Sequence, residues 1–92
     1  MENKAVHIIL KGRVQGVGFR FFASRKAMQH KLTGYVKNDY NGSVEVWAEG
    51  PENMLKSFIQ EVQKGPSGAF VEDAEIDNGV KTKGYRSFDI KF

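Results

Sequence analysis

The segment from Gly12 to Arg20 combines three glycines with an arginine at the start of a predicted helix. Helices usually begin with Ser, Thr, Asp or Asn, whose side-chain oxygens accept hydrogen bonds from the first backbone N–H groups. Here the helix follows Gln15-Gly16-Val17-Gly18-Phe19, and its first turn carries no acid. A helix start without a local acceptor for its N–H groups binds anions. These residues therefore indicate an anion site of the kind that holds phosphate.

Glycine and arginine suit such a site for different physical reasons. Gly16 and Gly18 allow the backbone to curl and to approach the anion closely, as in the N–H nests that bind phosphate. Arg20 would add a forked and permanently charged donor for two phosphate oxygens. The alternative is that the glycines only form a tight turn between a strand and a helix. Glycine spacing alone does not decide between the two interpretations.

The distribution of charge favours the anion site. The net charge is only +3, from 14 basic and 11 acidic residues. Eight of the basic residues precede Asp39, whereas that part of the chain holds a single acid, Glu2. A local excess of positive charge attracts an anionic ligand. A solvated basic face would explain the charge by itself, so the prediction depends on Arg20 and the glycines together.

Hydrophobic periodicity and turn residues predict the elements that would position this segment. Asn41-Gly42 is a strong signal for a hairpin turn. The predicted elements are a strand at 5–13, a helix at 20–31, strands at 33–37 and 43–49, a helix that Gly50-Pro51 opens and Lys64-Gly65-Pro66 closes, and strands at 71–77 and 85–92 around a turn at 78–84. The order β-α-β-β-α-β is typical of the ferredoxin-like, split βαβ fold. This is an α+β fold with an antiparallel or mixed sheet and two helices on one face.

Length and composition limit the class of protein. We expect 92 residues to form one domain over 1–92. Cys is absent from the sequence, which excludes disulfides, thiol nucleophiles and Cys-based zinc sites. The only histidines are His7 and His30. We expect neither a metal nor another cofactor, and we expect His30 to pack on the face that meets the sheet. No apolar run approaches the ~18 residues of a membrane span, so we expect a cytoplasmic protein without a membrane partner.

Two motifs resemble those of the acylphosphatase family. The run Gly12-Arg13-Val14-Gln15-Gly16-Val17-Gly18-Phe19-Arg20 is similar to the family signature G-x-V-Q-G-V-x-F-R. Further along, Gly34-Tyr35-Val36-Lys37-Asn38 and Asn41-Gly42-Ser43-Val44-Glu45 resemble the second family motif, G-x-V-x-N-x-x-D-G-x-V-E. The resemblance covers nearly the whole chain. The departures from the family pattern lie at His30, Lys31 and Asn41.

The resemblance implies an enzyme that hydrolyses acyl phosphates to a carboxylate and inorganic phosphate, without a metal or a covalent intermediate. It implies that Arg20 binds the phosphoryl group and that Asn38 orients the attacking water. Backbone N–H groups of the loop would stabilise the transferring oxygens like an oxyanion hole. These groups belong to Gln15, Gly16, Val17, Gly18, Phe19 and Arg20. Because the amide of Asn38 is too weak a base, a phosphate oxygen of the substrate would accept the proton of the water.

Inorganic phosphate would then be both product and inhibitor of a monomeric enzyme. Two other functions stay open. An RNA-binding domain of the same topology fits the pI of 9.3, but it needs a basic and aromatic run on its third strand. Ser43–Glu49 carries two acids and one aromatic there, so we expect no nucleic-acid partner. A non-catalytic module that binds carbamoyl phosphate or another acyl phosphate would keep the same anion site. Without the resemblance, Asn38 is only a residue at a strand end or turn.

Overall fold

A five-stranded sheet with two helices on one face forms the framework of residues 2–92, the part of the chain that the computed structural model describes. The elements in chain order are β1 Asn3–Arg13, α1 Phe19–Gln29, β2 Thr33–Asn38, β3 Val44–Pro51, α2 Glu52–Lys64, β4 Phe70–Asp77 and β5 Phe88–Lys91. The predicted α+β fold with a mixed sheet is confirmed, and both strands predicted after the second helix are present as β4 and β5. Within residues 2–92, no helix is long and apolar enough to cross a membrane.

Several boundaries differ from the sequence prediction, and three of these differences affect the helices and the last strand. α1 ends at Gln29, two residues before the predicted end. Pro51 ends β3 and precedes the first residue of α2, whereas the prediction placed it in the first turn of the helix. The strand predicted at 85–92 is shortened to β5, because Tyr85 packs against the open face of the sheet instead.

Strand direction brings three chain segments to one end of the sheet. The strand order is β4-β1-β3-β2-β5. β1 and β2 each pair antiparallel with β3, so these two strands run in the same direction. β5 pairs parallel with β2 and shares that direction. The carboxyl ends of β1, β2 and β5 therefore lie together, and α1 begins at the same end because it follows β1.

Alternation along the central strand β3 separates the two faces of the sheet. Val44, Val46 and Ala48 are fully buried beneath the helices, as the sequence predicts. The helices add Phe19, Ala23 and Ala27 from α1 and Leu55, Phe58 and Val62 from α2. Burial of one large apolar side chain contributes ~1.5–3 kcal/mol. This core holds both helices, and with them the start of α1, against the sheet.

The segment 78–87 covers the open face of the sheet and is longer than the predicted turn at 78–84. Glu49 is only 3% exposed and accepts hydrogen bonds from the backbone N–H groups of Lys83 at 2.6 Å and Gly84 at 3.1 Å. The indole N–H of Trp47 donates to the same carboxylate at 2.8 Å. Because three donors replace its lost hydration, the buried carboxylate fixes this segment to β3.

Glu45 forms a second polar centre on the same face. A ring nitrogen of His7 lies 2.6 Å from its carboxylate, and the ammonium of Lys37 lies 3.2 Å away. The hydroxyl of Tyr35 donates to it at 3.2 Å. Burial by itself would raise the pKa of Glu45, but the hydrogen bonds from these three side chains lower it overall. The ionised form of Glu45 is therefore favoured on this face.

His30 is partly buried, with 20% of its side chain exposed, and it contacts the second helix. One ring nitrogen of His30 is 2.8 Å from Oε2 of Glu61 in α2. This hydrogen bond is the main cause that lowers the pKa of Glu61 below its ordinary value. Nζ of Lys26 is 3.7 Å from the other carboxylate oxygen. The position after α1 thus ties one helix to the other.

The carboxyl end of α1 is closed by a Schellman motif. The backbone N–H of Leu32 donates to the carbonyl of Ala27 at 2.8 Å, and that of Lys31 donates to the carbonyl of Met28 at 3.1 Å. This motif requires a left-handed residue after the helix, which is usually glycine. Here the residue is Lys31, whose φ of +57° is the only positive value among the non-glycine residues of 2–92.

We expect Lys31→Gly to raise the free energy of unfolding by ~1 kcal/mol, because glycine adopts the left-handed conformation without the steric cost of a Cβ. For a domain of this size, the melting temperature should rise by about 4–8 °C. Thermal unfolding followed by circular dichroism measures this change. Lys31→Ala is the control, since it removes the side chain but keeps the cost of the positive φ. A glycine variant no more stable than the alanine variant would contradict the prediction.

Candidate active site

Two buried side chains hold the loop between β1 and α1 at both ends. Val14 is 1% exposed and Phe19 is 2% exposed, and both belong to the core beneath the helices. The residues between them, 15–18, are partly or fully exposed. The loop therefore crosses the surface at the carboxyl end of β1 with both of its ends fixed.

Gly16 and Gly18 give this loop a backbone of alternating sign. Their φ angles are +75° and +76°. Val17 between them has a negative φ, since Lys31 is the only non-glycine exception in the described chain. This alternation turns successive N–H groups towards one concave side, as in anion-binding nests. A Cβ added at either glycine would meet no described atom within 4 Å, so the left-handed backbone and not a lack of space requires glycine.

α1 begins without a cap, as the sequence predicts. Gly18 is the residue before the helix, no side chain of residues 2–92 caps it, and the first turn carries no acid. The first N–H groups of the helix therefore lack a local acceptor, and the helix dipole adds partial positive charge at the same place. An anion at this position would satisfy both the donors and the dipole.

Sheet register brings Asn38 to this helix start. Asn38 ends β2 and, by strand alternation, shares the helix-bearing face with Val36. Val44 pairs with Asn38 on one side and with Leu10 of β1 on the other. Within the described chain, the buried Oδ1 of Asn38 has no hydrogen-bond partner. An unpaired buried acceptor costs ~1–3 kcal/mol and calls for an explanation in function.

A shallow cleft of about 140 Å³ joins the loop, the helix start and the end of β2. Five of the residues that the sequence singles out line it, namely Gly16, Gly18, Phe19, Arg20 and Asn38. Val14 and Phe21 complete the lining. Because one water needs only ~10–15 Å³ by this measure, a small oxyanion and a water fit into the cleft together.

Gln15 and Val17, which the sequence also singles out, do not line the cleft. Val17 packs partly buried against the core. The side-chain amide of Gln15 points to the turn between β2 and β3, where it donates to the carbonyls of Asp39 and Ser43 at 2.8 Å each. A role of their backbone N–H groups in anion binding stays a prediction. The long-range contact of Gln15 has no sequence signal, because nothing near it in the chain indicates that turn.

The side chain of Arg20 lies against the end of β5, the strand next to β2 in the sheet, and against Phe92. Its guanidinium is 4.6 Å from the ring centroid of Phe92, and its Nη1 donates a long hydrogen bond of 3.4 Å to the carbonyl of Lys91. Phe21, the next residue of α1, is 63% exposed at the cleft. Sequence patterns assign no role to Phe21, and only the folded structure shows its place at the cleft.

The donors around the cleft are backbone N–H groups, one guanidinium and one neutral amide, and these groups stabilise anions. No acid is among the described residues that line the cleft. Among residues 2–92, no group of three or more His, Asp or Glu side chains could hold a metal ion.

Comparison with known proteins gives the family. The family model for acylphosphatase matches residues 6–90. An acylphosphatase of Bacillus velezensis is 48% identical over 86 residues, which cover 94% of this chain and 96% of that protein. An acylphosphatase of Thermotoga maritima is 45% identical over 89 residues, with coverage of 97% and 98%. The chain belongs to the acylphosphatase family, which confirms the resemblance of its motifs and the predicted class of enzyme.

Solved structures agree with this result. The crystal structure of acylphosphatase from Bacillus subtilis matches with a TM-score of 0.93 and 42% identity, covering 99% of this chain and 100% of that chain. Full-length HypF, in a phosphate- and nucleotide-bound form, matches with a TM-score of 0.89 and 30% identity. That match covers 99% of this chain but only 12% of HypF. The same fold thus occurs as a whole chain and as a small part of a long one.

Phe92→Ala should weaken the binding of inorganic phosphate about two- to five-fold, because a cation–π contact at an exposed site contributes ~0.5–1 kcal/mol to the position of Arg20. Titration with phosphate, followed through the backbone amide signals of residues 15–20 by NMR, measures this affinity. The matched control is Phe70→Ala, which removes another exposed phenylalanine ring, on β4 and away from Arg20. If the two variants bind phosphate alike, the contact does not position Arg20.

Proposed function

We propose that this chain hydrolyses the carboxyl–phosphate bond of acyl phosphates and releases a carboxylate and inorganic phosphate. One observation carries the proposal. The uncapped start of α1, Arg20 and Asn38 line a single cleft, and the buried Oδ1 of Asn38 has no hydrogen-bond partner within residues 2–92. Family membership supports the type of reaction, and the arrangement of the cleft supports the role of each residue.

The first task of the site is to stabilise the charge of the phosphoryl oxygens. In phosphoryl transfer this charge is spread over three equatorial oxygens, so positioned donors contribute most of the catalysis. In the proposal, N–H groups of the loop from 15 to 20 donate to these oxygens, and Arg20 donates a parallel pair of hydrogen bonds. Because Val14 and Phe19 fix the loop through the core, the donors need little reorganisation when the substrate arrives.

The second task is to place a water for attack on phosphorus. The free Oδ1 of Asn38 can accept one hydrogen bond from a water, which then directs a lone pair towards the phosphoryl group. A bond forms between the water oxygen and phosphorus as the bond from phosphorus to the acyl oxygen breaks. The carboxylate leaves with its electron pair, and one proton of the water moves to a phosphoryl oxygen. No metal and no protein base takes part in this scheme.

The third feature is how the site contacts and releases the acyl group. A carboxylate is a good leaving group, so no protein acid is needed to expel it. The exposed ring of Phe21 lies beside Arg20 at the open side of the cleft, where the acyl part of a bound substrate would lie. An open contact of this kind favours small and apolar acyl groups without close discrimination among them. We propose a monomeric enzyme that inorganic phosphate inhibits as product.

The alternative is a non-catalytic module that only binds an acyl or carbamoyl phosphate. The similarity to 12% of HypF is the observation in its favour, since there the fold is part of a much longer chain. The match to 100% of the Bacillus subtilis acylphosphatase chain favours the enzyme. Both functions use the anion site, and only the enzyme needs Asn38 to hold a water.

We expect the wild-type protein to hydrolyse benzoyl phosphate at a rate that EDTA does not change, because protein donors alone stabilise the transferring charge. Loss of the ultraviolet absorbance of benzoyl phosphate measures the rate. Phosphate binding without turnover would support the non-catalytic module. A rate that falls with EDTA and returns with Mg²⁺ would contradict the metal-independent mechanism.

Arg20→Ala and Asn38→Ala should separate binding from chemistry. Arg20→Ala should lose both inhibition by phosphate and kcat, whereas Asn38→Ala should lose kcat while phosphate inhibits as in the wild type. Loss of one positioned donor costs on the order of 10²–10³ in kcat. Arg25→Ala is the matched control, because it removes an exposed arginine of the same helix that does not line the cleft.

Two results would contradict these roles. Equal inhibition of wild type and Arg20→Ala by phosphate would show that Arg20 does not bind the phosphoryl group. An Asn38→Ala variant with the kcat of the wild type would show that another group holds the water.

A further inference from the structure

We infer that Gln15 is a positioning residue, whose side-chain amide holds the turn between β2 and β3 so that Asn38 faces the loop between β1 and α1 (residues 15–18), called the phosphate loop below. This inference rests on the proposed function and assigns to the side chain of Gln15 a role separate from that of its backbone N–H.

The contacts of Gln15 join two parts of the site that are distant in sequence. Its Nε2 lies 2.8 Å from the carbonyl oxygen of Asp39 and 2.8 Å from that of Ser43, so both N–H donors of the amide are used. The same two carbonyls close the turn. The carbonyl of Ser43 accepts the N–H of Asp39 at 2.9 Å, and the carbonyl of Asp39 accepts the N–H of Gly42 at 3.1 Å. One side chain therefore links the phosphate loop to both ends of the turn.

The backbone at Gln15 is anchored to the core on one side. It follows Val14, which is fully buried in the core, and precedes Gly16, which lines the cleft. The two hydrogen bonds of its amide thus connect a turn on the surface to a point of the chain that the core holds. A hydrogen bond from a flexible residue would not fix the position of the turn, whereas a hydrogen bond from an anchored residue does.

Asn38 depends on this turn for its orientation. It directly precedes Asp39, and its buried Oδ1 has no hydrogen-bond partner within residues 2–92. No hydrogen bond of the described chain holds this oxygen, so its direction depends on side-chain packing and on the position of the Asn38 backbone. Pairing with Val44 holds that backbone on one side, and the bond from Gln15 to the next carbonyl holds it on the other. A misplacement of about 1 Å in a reacting group can cost about 10²-fold in rate.

Gln15→Met tests the inference, because methionine keeps the length and neutral charge of glutamine but has no donor. We expect kcat for benzoyl phosphate to fall about 10- to 100-fold, while inhibition by inorganic phosphate changes less than about two-fold. In an Asn38→Ala background the same substitution should change kcat less than about two-fold, since residues that act as a unit are not additive. An equal loss in both backgrounds would overturn the inference, and so would a kcat equal to that of the wild type.

Asn41→Asp is the matched control in the same turn. Oδ1 of Asn41 accepts the N–H of Ser43 at 3.1 Å and its hydroxyl at 2.6 Å, and a carboxylate keeps both acceptors. We expect this variant to retain kcat within about three-fold, because it disturbs neither hydrogen bond of Gln15. If Asn41→Asp and Gln15→Met lose activity alike, any change in the turn suffices and Gln15 has no special role.

A measurement without turnover separates this inference from the proposed function. The side-chain NH₂ signals of Asn38 in NMR should report one ordered conformation in the wild type and in Asn41→Asp, and averaging in Gln15→Met. Gln15→Ala repeats the measurement if methionine prevents folding, which circular dichroism shows. Lack of hydrolysis by the wild type would refute the proposed function and leave this test intact. Identical Asn38 signals in the wild type and in the folded Gln15 variants would overturn the inference.

Discussion

The attachment of the loop to the core at both of its ends is the constraint on which the rest of the site depends. Val14 and Phe19 are buried, and only residues 15–18 are left to cross the surface between them. Positive φ angles at Gly16 and Gly18 make this short crossing feasible without strain. The N–H groups are therefore oriented by folding, and a ligand does not have to order them. Preorganisation of this kind reduces the cost of binding and of charge stabilisation.

Strand direction supplies the other half of the site. Because β1, β2 and β5 run in the same direction, the loop 15–18, Asn38 and Phe92 lie at one end of the sheet. These three segments are distant from one another in the sequence, and only the pairing of the strands brings them together. Hydrogen bonds from Gln15 and the ring of Phe92 under Arg20 refine an arrangement that the topology already provides. The site therefore depends on β-sheet pairing as much as on the loop motif.

The parts of the fold that the sequence predicted are those with local causes. Apolar alternation predicted the buried face of β3, and the missing cap predicted the free start of α1. The structure differs from the prediction where a contact with a residue distant in sequence determines the conformation. His30 turns to Glu61 of the other helix, and segment 78–87 lies across the sheet because Glu49 accepts its N–H groups. For the same reason the cleft residue Phe21 and the long-range contacts of Gln15 were missed.

The two ends of α1 illustrate how an unfavourable local feature can be either functional or merely tolerated. At its start, free N–H groups and positive φ angles lie in the cleft, where a bound anion would satisfy the donors. A ligand that binds only the folded state also stabilises that state, so phosphate would return part of the stability lost by omitting a cap. At its end, Lys31 has a positive φ and does not line the cleft, so an anion bound in the cleft would not contact it. In the proposed function the free N–H groups at the start of the helix are used to bind the anion, whereas the steric cost of the positive φ at Lys31 serves only to close the other end.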